Sequence, residues 1–257
     1  MRRLVAALAC RVQGKRLYGK PLQNLAPDCT ILDQILNTMA RLPEIATSVL
    51  GVAEGSANEP FIQIAKARGI PHIVGDEIDV LMRLIQCGRA AGATDVFRMT
   101  TECPFLYFKP VAEAWRRHVE NDNDVTATDG LPEGCHFEIY KLSALETSHE
   151  RGTAHHQSEG CSRYIREHRE DFRVETLMPP PELARMDLRL TVDYPEDLVL
   201  CRDVYRAFAD RAPLIPLADI IRFIDRNPRL KEIVSPYVKP MLLWPQQARE
   251  AAKDGDR

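Results

Sequence analysis

The chain opens on an apolar run, Leu4-Val5-Ala6-Ala7-Leu8-Ala9, of the length of a buried strand. Short runs rich in apolar or β-branched residues recur at 46–52, 71–75, 94–99 and 125–128, and each predicts another strand. The intervening segments carry apolar residues three and four apart, the helical spacing. Ile31, Ile35, Leu36 and Met39 mark one helix over 31–41. Others are predicted at 60–68, at 79–91 with Leu81, Leu84 and Ile85 inward, and at 110–119. This alternation predicts an α/β fold, a mostly parallel central sheet with helices on both faces.

The second half reads differently. Residues 135–140 alternate as an antiparallel strand does, and 189–193 read as a core strand. Helices are expected over 195–209, with Pro195 first and Glu196 and Asp197 in the favourable first turn, and over 215–227. The polar stretch 147–160, with His149, His155 and His156, predicts an exposed excursion or arm. No repeat or linker divides the chain. The expectation is a single domain over 1–246 with a small antiparallel excursion at about 129–186, then a charged, disordered tail over 247–257.

Composition narrows the function. Of 257 residues, 45% are hydrophobic and 28% charged, ordinary for a globular protein, and the net charge of -3 argues against coating nucleic acid. No apolar run approaches bilayer thickness, so no membrane partner is expected. Met1-Arg2-Arg3 reads as the start of a cytoplasmic strand rather than of a signal peptide, since Arg11, Lys15 and Arg16 follow at once. The seven cysteines are scattered, odd in number and without a CxxC pair, which predicts reduced thiols.

Chemistry concentrates just past the first strand. Residues 11–20 hold Arg11, Lys15, Arg16 and Lys20 together with Gly14 and Gly19. Glycines let a backbone approach phosphates, and Arg and Lys add charge-assisted hydrogen bonds, so the loop reads as a polyphosphate cradle or as a solvated basic turn. It matches neither the P-loop nor the dinucleotide fingerprint. In a parallel sheet ligands bind at the carboxyl ends of strands, so this loop, Gly75-Asp76 and 100–102 should share one crevice. Two acids stand at such ends, Glu102 and Asp193. Mg²⁺ takes one or two carboxylates plus substrate phosphates, and both acids qualify. Asp193 also reads as a helix cap before Pro195, Glu102 as a partner of Arg98, and Asp79 as an N-cap.

Taken together, these segments resemble the cytidylyltransferases that activate acidic sugars, the acylneuraminate and 3-deoxy-manno-octulosonate cytidylyltransferases, in particular the spore coat polysaccharide biosynthesis protein F-like branch. Arg11, Arg16, Leu17, Gly19 and Lys20 match that family's Ala-Arg-x-x-Ser-x-Arg-Leu-Pro-Gly-Lys motif, with Cys10 for its Ala and Tyr18 for its Pro. Gly75 to Leu81 resembles its Gly-x-x-x-Asp-Val-Leu element, and Val96 to Phe105 its Val-x-Arg-x-Thr-Gly-Asp-Cys-Pro-Leu. Leu190 to Leu198 carries its Leu-Thr-Val-Asp-Thr-Pro-Glu-Asp-Leu nearly intact. Asp129-Gly130-Leu131 and Glu138 resemble later elements. Three departures stand out: Glu102 replaces an Asp, Thr101 a Gly, and 158–162 reduces an Arg-Glu-His-Val-Thr element.

The resemblance implies a nucleotide-diphospho-sugar transferase (Rossmann-like) fold and a cytoplasmic, Mg²⁺-dependent transfer of CMP from CTP to an acidic sugar or related acidic acceptor, with release of pyrophosphate. It implies catalytic roles for Arg11, Lys20 and Arg98, and a nucleotide site of Cys10, Arg11, Lys15, Arg16, Lys20, Gly75 and Asp79. It places Asp129, Glu138 and Glu159 on the acceptor and Mg²⁺ on Glu102 and Asp193. The expected partners are CTP, an acidic small molecule and a second copy in a homodimer, without nucleic acid or membrane. A nucleotide-sugar-dependent glycosyltransferase, or a non-catalytic nucleotide-binding relative, is the alternative. A glycosyltransferase usually sets an Asp-x-Asp pair on the metal, and none occurs at a strand end here. No residue stands out as the general base, with His136 the nearest candidate.

Overall fold

In the first strand, β1 (Leu4–Cys10), side chains alternate between two apolar layers. Leu4, Ala6, Leu8 and Cys10 pack into one core and Val5 and Ala7 into the other, which is why the run is apolar throughout. The computed structural model describes residues 1–158 and 160–245; Glu159 and the expected tail lie outside them.

The further strands are β2 (Asn24–Ala26), β3 (Cys29–Thr30), β4 (Ile45–Ala53), β5 (His72–Gly75), β6 (Asp95–Arg98), β7 (Val125–Thr128), β8 (Glu138–Lys141) and β9 (Val174–Leu177). Seven of them form one sheet in the order β5-β4-β1-β6-β8-β7-β9, and β2 and β3 pair separately as a small antiparallel ribbon. Pairing is parallel from β5 through β6 and between β7 and β9, while β8 runs antiparallel to both of its neighbours. The helix Ile31–Met39 packs its apolar stripe on one face of the sheet and the helix Val80–Ala90 on the other. The expected α/β architecture is the observed one.

Two expectations are corrected. Residues 189–193 are buried at Leu190 and Val192, yet they join no ladder. Leu190 N–H donates to Glu133 O at 2.7 Å and Val192 N–H to Glu102 O at 2.9 Å, so two loops satisfy the backbone that a sheet would otherwise satisfy. The polar stretch is corrected in its first part: 147–151 close a helix, Leu142–Arg151, whose Ser148 is fully buried and donates to Ala144 O, while 153–155 are exposed and Ala154–Gln157 form a separate short helix. No helix among the described residues is long and apolar enough to cross a membrane.

Candidate active site

The loop after β1 closes on itself because two glycines permit it. At Gly14 a Cβ would stand 2.3 Å from the Leu17 carbonyl oxygen, so no side chain fits. Gly19 turns through φ 59°, and its N–H donates to Val12 O at 2.8 Å. Asn58 anchors the turn by accepting from Val12 N–H at 2.8 Å. The result is a cavity of about 670 Å³ at the carboxyl ends of β1 and β6, lined by Arg11, Lys15, Arg16 and Lys20 on one side and Glu102 and Asp193 on another. Lys15 makes no hydrogen bond or ion pair among the described residues. Thr101, in place of a glycine, donates to Ala9 O at 2.9 Å and so ties the loop after β6 to β1.

Asp193 is the electrostatic centre. Its Oδ1 accepts from Lys20 Nζ at 2.5 Å and Arg16 Nη2 at 2.9 Å, and its Oδ2 from Arg189 Nη2 at 2.6 Å. Burial alone would raise the pKa of this carboxyl, but the bonds from Lys20 and Arg189 and the charge of Arg16 outweigh it and hold the pKa below the usual aspartate value. Asp193 does not cap the following helix Pro195–Ala207. Asp197 does so, accepting from the N–H groups of Asp193 and Tyr194 at 2.8 and 2.9 Å. The Asp193 side chain is thereby left to the cavity. Arg16 is braced from behind, its guanidinium 4.7 Å from the Tyr194 ring centre, and Tyr194 stacks on Tyr237 at 3.8 Å.

Glu102 is the opposite case. Burial pushes its carboxyl above the ordinary glutamate value, only partly countered by the charge of Lys20. It does not pair with Arg98, which instead donates to Glu138 Oε2 at 2.5 Å. Its carboxylate forms no ion pair among the described residues. A half-buried carboxylate without an ion pair among the described residues, beside Asp193, supplies hard oxygen donors facing a cationic cradle, the donor set that suits Mg²⁺ bound together with phosphates and water. The described residues hold no cluster of three or more His, Cys, Asp or Glu side chains able to bind a metal by themselves.

A second cavity, about 390 Å³, adjoins the first and shares Arg98, Met99, Thr100, Glu102 and Asp193 with it. Glu138 lines it while bound to Arg98 and to the indole N–H of Trp244 at 2.8 Å. His136 lines it as well. The outer wall comes from the last described segment, through Lys239, Met241 and Leu243.

The remaining site expectations fall in several places. Cys10 is fully buried, with its thiol pushed up to about 12 by burial; Ala9 and Arg11, not Cys10, line the cavity. Gly75 also lies off the cavity, and its lack of a side chain makes room for Arg83, whose Cγ would be 2.9 Å from a Cβ there. Asp79 caps the helix Val80–Ala90, accepting from Met82 N–H at 2.8 Å, and meets His149 Nε2 at 2.7 Å. Asp129 is fully buried and lines neither cavity; it accepts from the backbone N–H groups of Leu243 and Trp244 at 3.1 and 2.6 Å. Glu159 lies outside the described residues. Arg83, just after the Gly75–Leu81 element, is the lining residue to which sequence reasoning gave no role. It lines the first cavity while donating to Cys10 O and Gly51 O at 3.1 and 2.8 Å. The available signal was a charge on the apolar face that Val80, Leu84 and Cys87 define.

No family model matches the chain. It is 24% identical over 233 residues to an uncharacterized protein of Methanocaldococcus jannaschii, covering 91% of this chain and 95% of that one. It is 23% identical over 233 residues to the spore coat polysaccharide biosynthesis protein SpsF of Bacillus subtilis, covering 89% and 96%. A cytidylyltransferase structure from Leptospira borgpetersenii superposes with a TM-score of 0.81 at 21% identity, covering 90% of this chain and 97% of that one. A CMP:2-keto-3-deoxy-manno-octonic acid synthetase complexed with CTP superposes with a TM-score of 0.61 at 12% identity, covering 80% and 99%. The fold is that of these cytidylyltransferases.

Proposed function

We propose that the chain is a cytoplasmic nucleotidyltransferase that moves CMP from CTP onto an acidic small-molecule acceptor and releases pyrophosphate. One observation carries the reading: Glu102 and Asp193 stand on the shared rim of two cavities, opposite four cations of a single loop. The similarity to SpsF and to the two cytidylyltransferase structures supports it.

In this reading the first cavity takes the nucleoside triphosphate and the second the acceptor. Arg11, Lys15, Arg16 and Lys20 bind the β- and γ-phosphates. Lys20 and Arg16 exchange Asp193 for phosphate oxygens, which bares Asp193 toward the α-phosphate. An acceptor oxygen then attacks the α-phosphorus in line. One P–O bond forms, the bond to the bridging oxygen breaks, and its electron pair leaves on pyrophosphate while the acceptor's proton passes to solvent. The four cations offset the charge gathering on that leaving group, an electrostatic stabilisation that grows from the bound triphosphate to the transition state. Glu102 and Asp193 would hold Mg²⁺, which would supply Lewis-acid polarisation of the α-phosphate. Arg98, held by Glu138 at the junction of the cavities, orients the acceptor or the α-phosphate.

A pyrophosphate-release assay with each nucleoside triphosphate against a panel of acidic acceptors, with and without Mg²⁺, tests the reading. CTP with Mg²⁺ is expected to turn over. CTP binding without release under any acceptor would point to the non-catalytic relative. The homodimer forms part of the proposal, with light scattering as its check.

A further inference from the structure

Arg16 has to hold phosphate from an exposed position. It sits in the exposed stretch 13–16, and 48% of its side chain is open to solvent, against 17% for Lys20. Among the described residues its carboxylate partner is Asp193, at 2.9 Å. In the proposed reaction Arg16 leaves Asp193 for phosphate oxygens, so this anchor goes at the moment the ligand arrives. An arginine freed in that way loses rotamer freedom again on binding, which weakens binding unless something else already holds it.

An aromatic ring supplies that hold. The Arg16 guanidinium lies 4.7 Å from the centre of the Tyr194 ring, within the range of a cation–π contact, and Nη1 donates to Tyr194 Oη at 3.3 Å. Neither contact uses the Asp193 carboxylate. The ring is itself stacked on Tyr237, 3.8 Å between centres. Tyr237 closes the turn Ser235–Tyr237, which follows the helix Pro228–Val234, and Leu230 and Val234 of that helix are buried in the core. The stack is therefore tied to the body of the domain rather than to the loop. Arg189 also lies by this ring, at 5.9 Å, but ion pairs to Glu133, Asp193 and Asp197 already fix it. The ring's effect thus falls on Arg16. Tyr194 is the single residue of 190–198 that differs from the Leu-Thr-Val-Asp-Thr-Pro-Glu-Asp-Leu motif, and the threonine it replaces has no ring.

We propose that Tyr194, backed by Tyr237, is a positioning residue for the triphosphate. It keeps Arg16 in the cradle after Asp193 has let go, so a turn late in the chain sets how tightly the first loop binds polyphosphate. This role rests on the reading of residues 11–20 as a triphosphate site and is exerted through Arg16.

Isothermal titration of the full chain with inorganic tripolyphosphate tests it, since that probe needs neither base nor acceptor. Arg16→Gln should weaken binding at least ~10-fold, the size of a charged hydrogen bond. Tyr194→Thr and Tyr237→Ala should each weaken it about two- to fivefold, the size of a partly exposed cation–π contact. Tyr194→Phe keeps the ring and should recover wild-type affinity to within about twofold. The deciding measurement combines two substitutions. In the Arg16→Gln background Tyr194→Thr should weaken binding no further, because a ring that acts through Arg16 has nothing left to hold. A ring that only supports the Asp193 segment would weaken binding equally in both backgrounds, and that result overturns the proposal. Tyr237→Ala, farther along the chain from Asp193, repeats the cycle should Tyr194→Thr fold poorly; wild-type affinity in Tyr237→Ala overturns the backing. Tripolyphosphate binding by the wild type with the same affinity in Tyr194→Thr sinks the proposal alone. No binding by the wild type removes the triphosphate reading of the loop and the role of Tyr194 with it.

Discussion

Lys20 Nζ lies 2.5 Å from Asp193 Oδ1, although 173 residues separate the two along the chain. A cation from the first loop and an acid that ends the buried segment 189–193 thus share one point of the cavity. Removing either should disable transfer without unfolding the chain, because Arg189 keeps Asp197 and Glu133 when Asp193 is gone. Lys20→Ala and Asp193→Ala should each lower pyrophosphate release from CTP by at least ~10²-fold, the loss usual for a donor aimed at transition-state charge. Thermal melts should stay cooperative. Full turnover by either variant removes the site. At the neighbouring acid, Glu102→Asp should retain turnover by keeping a carboxylate, and Glu102→Ala should lose it.

The pair of Arg98 and Glu138 makes a different prediction, one of stability. Both side chains are largely enclosed, 19% and 6% exposed, and Glu138 also receives the Trp244 indole. Glu138→Ala leaves a buried guanidinium uncompensated and an indole N–H unmet, which should cost about 3–5 kcal/mol in urea unfolding. A change within about 0.5 kcal/mol, as at an ordinary surface position, would contradict the pairing.

The sequence made β1 and the cationic loop legible because both are local: an apolar run, then charges and glycines in a single turn. Glu102 and Asp193 were legible as strand-end acids, and each does line the cavity. Asp129 was not. The family resemblance alone placed it on the acceptor, but its oxygens meet the N–H groups of Leu243 and Trp244, 114 and 115 residues away. No local pattern announces such partners. The helix Leu142–Arg151 was hidden by its surface, since only Ala144, Leu145 and Ser148 are buried and the rest reads as polar loop. Residues 189–193 read correctly as buried, while their bends and their bonding to loops rather than strands depend on tertiary placement alone.

His136 gives a prediction in pH. Burial lowers its pKa below the ordinary histidine value, and the nearby charges of Asp129, Glu138 and Glu133 only partly oppose this. Nδ1 meets the Thr128 carbonyl at 3.2 Å, so Nδ1 is the donor and Nε2 the acceptor. The native state therefore binds fewer protons here than the unfolded chain does. This contribution to stability is fully present above about pH 6.5 and declines as pH falls through the ordinary histidine range. Urea midpoints should accordingly drop on acidification below about pH 6.5, and His136→Asn should lessen the drop. An identical pH dependence in the variant would contradict the assignment.

The two glycines of the cationic loop should fail in different ways when replaced. At Gly19 a Cβ meets nothing within 4 Å, so Gly19→Ala carries only the strain of a left-handed residue, about 1–2 kcal/mol. At Gly14 the Cβ would stand 2.3 Å from the Leu17 carbonyl oxygen, a backbone atom that cannot rotate away, and 3.6 Å from Lys20 Cε. Gly14→Ala must therefore move the turn that carries Lys15, Arg16 and Lys20. The loop is exposed at 13–16 and contributes little to the core, so stability should change by no more than about 0.5 kcal/mol. Phosphate contacts, which depend on placement within about 1 Å, should be lost, lowering CTP affinity at least ~10-fold. Calorimetric titration with CTP and a urea melt on both variants separate the cases. Wild-type CTP affinity in Gly14→Ala would show that the loop does not hold the triphosphate, whatever its charge.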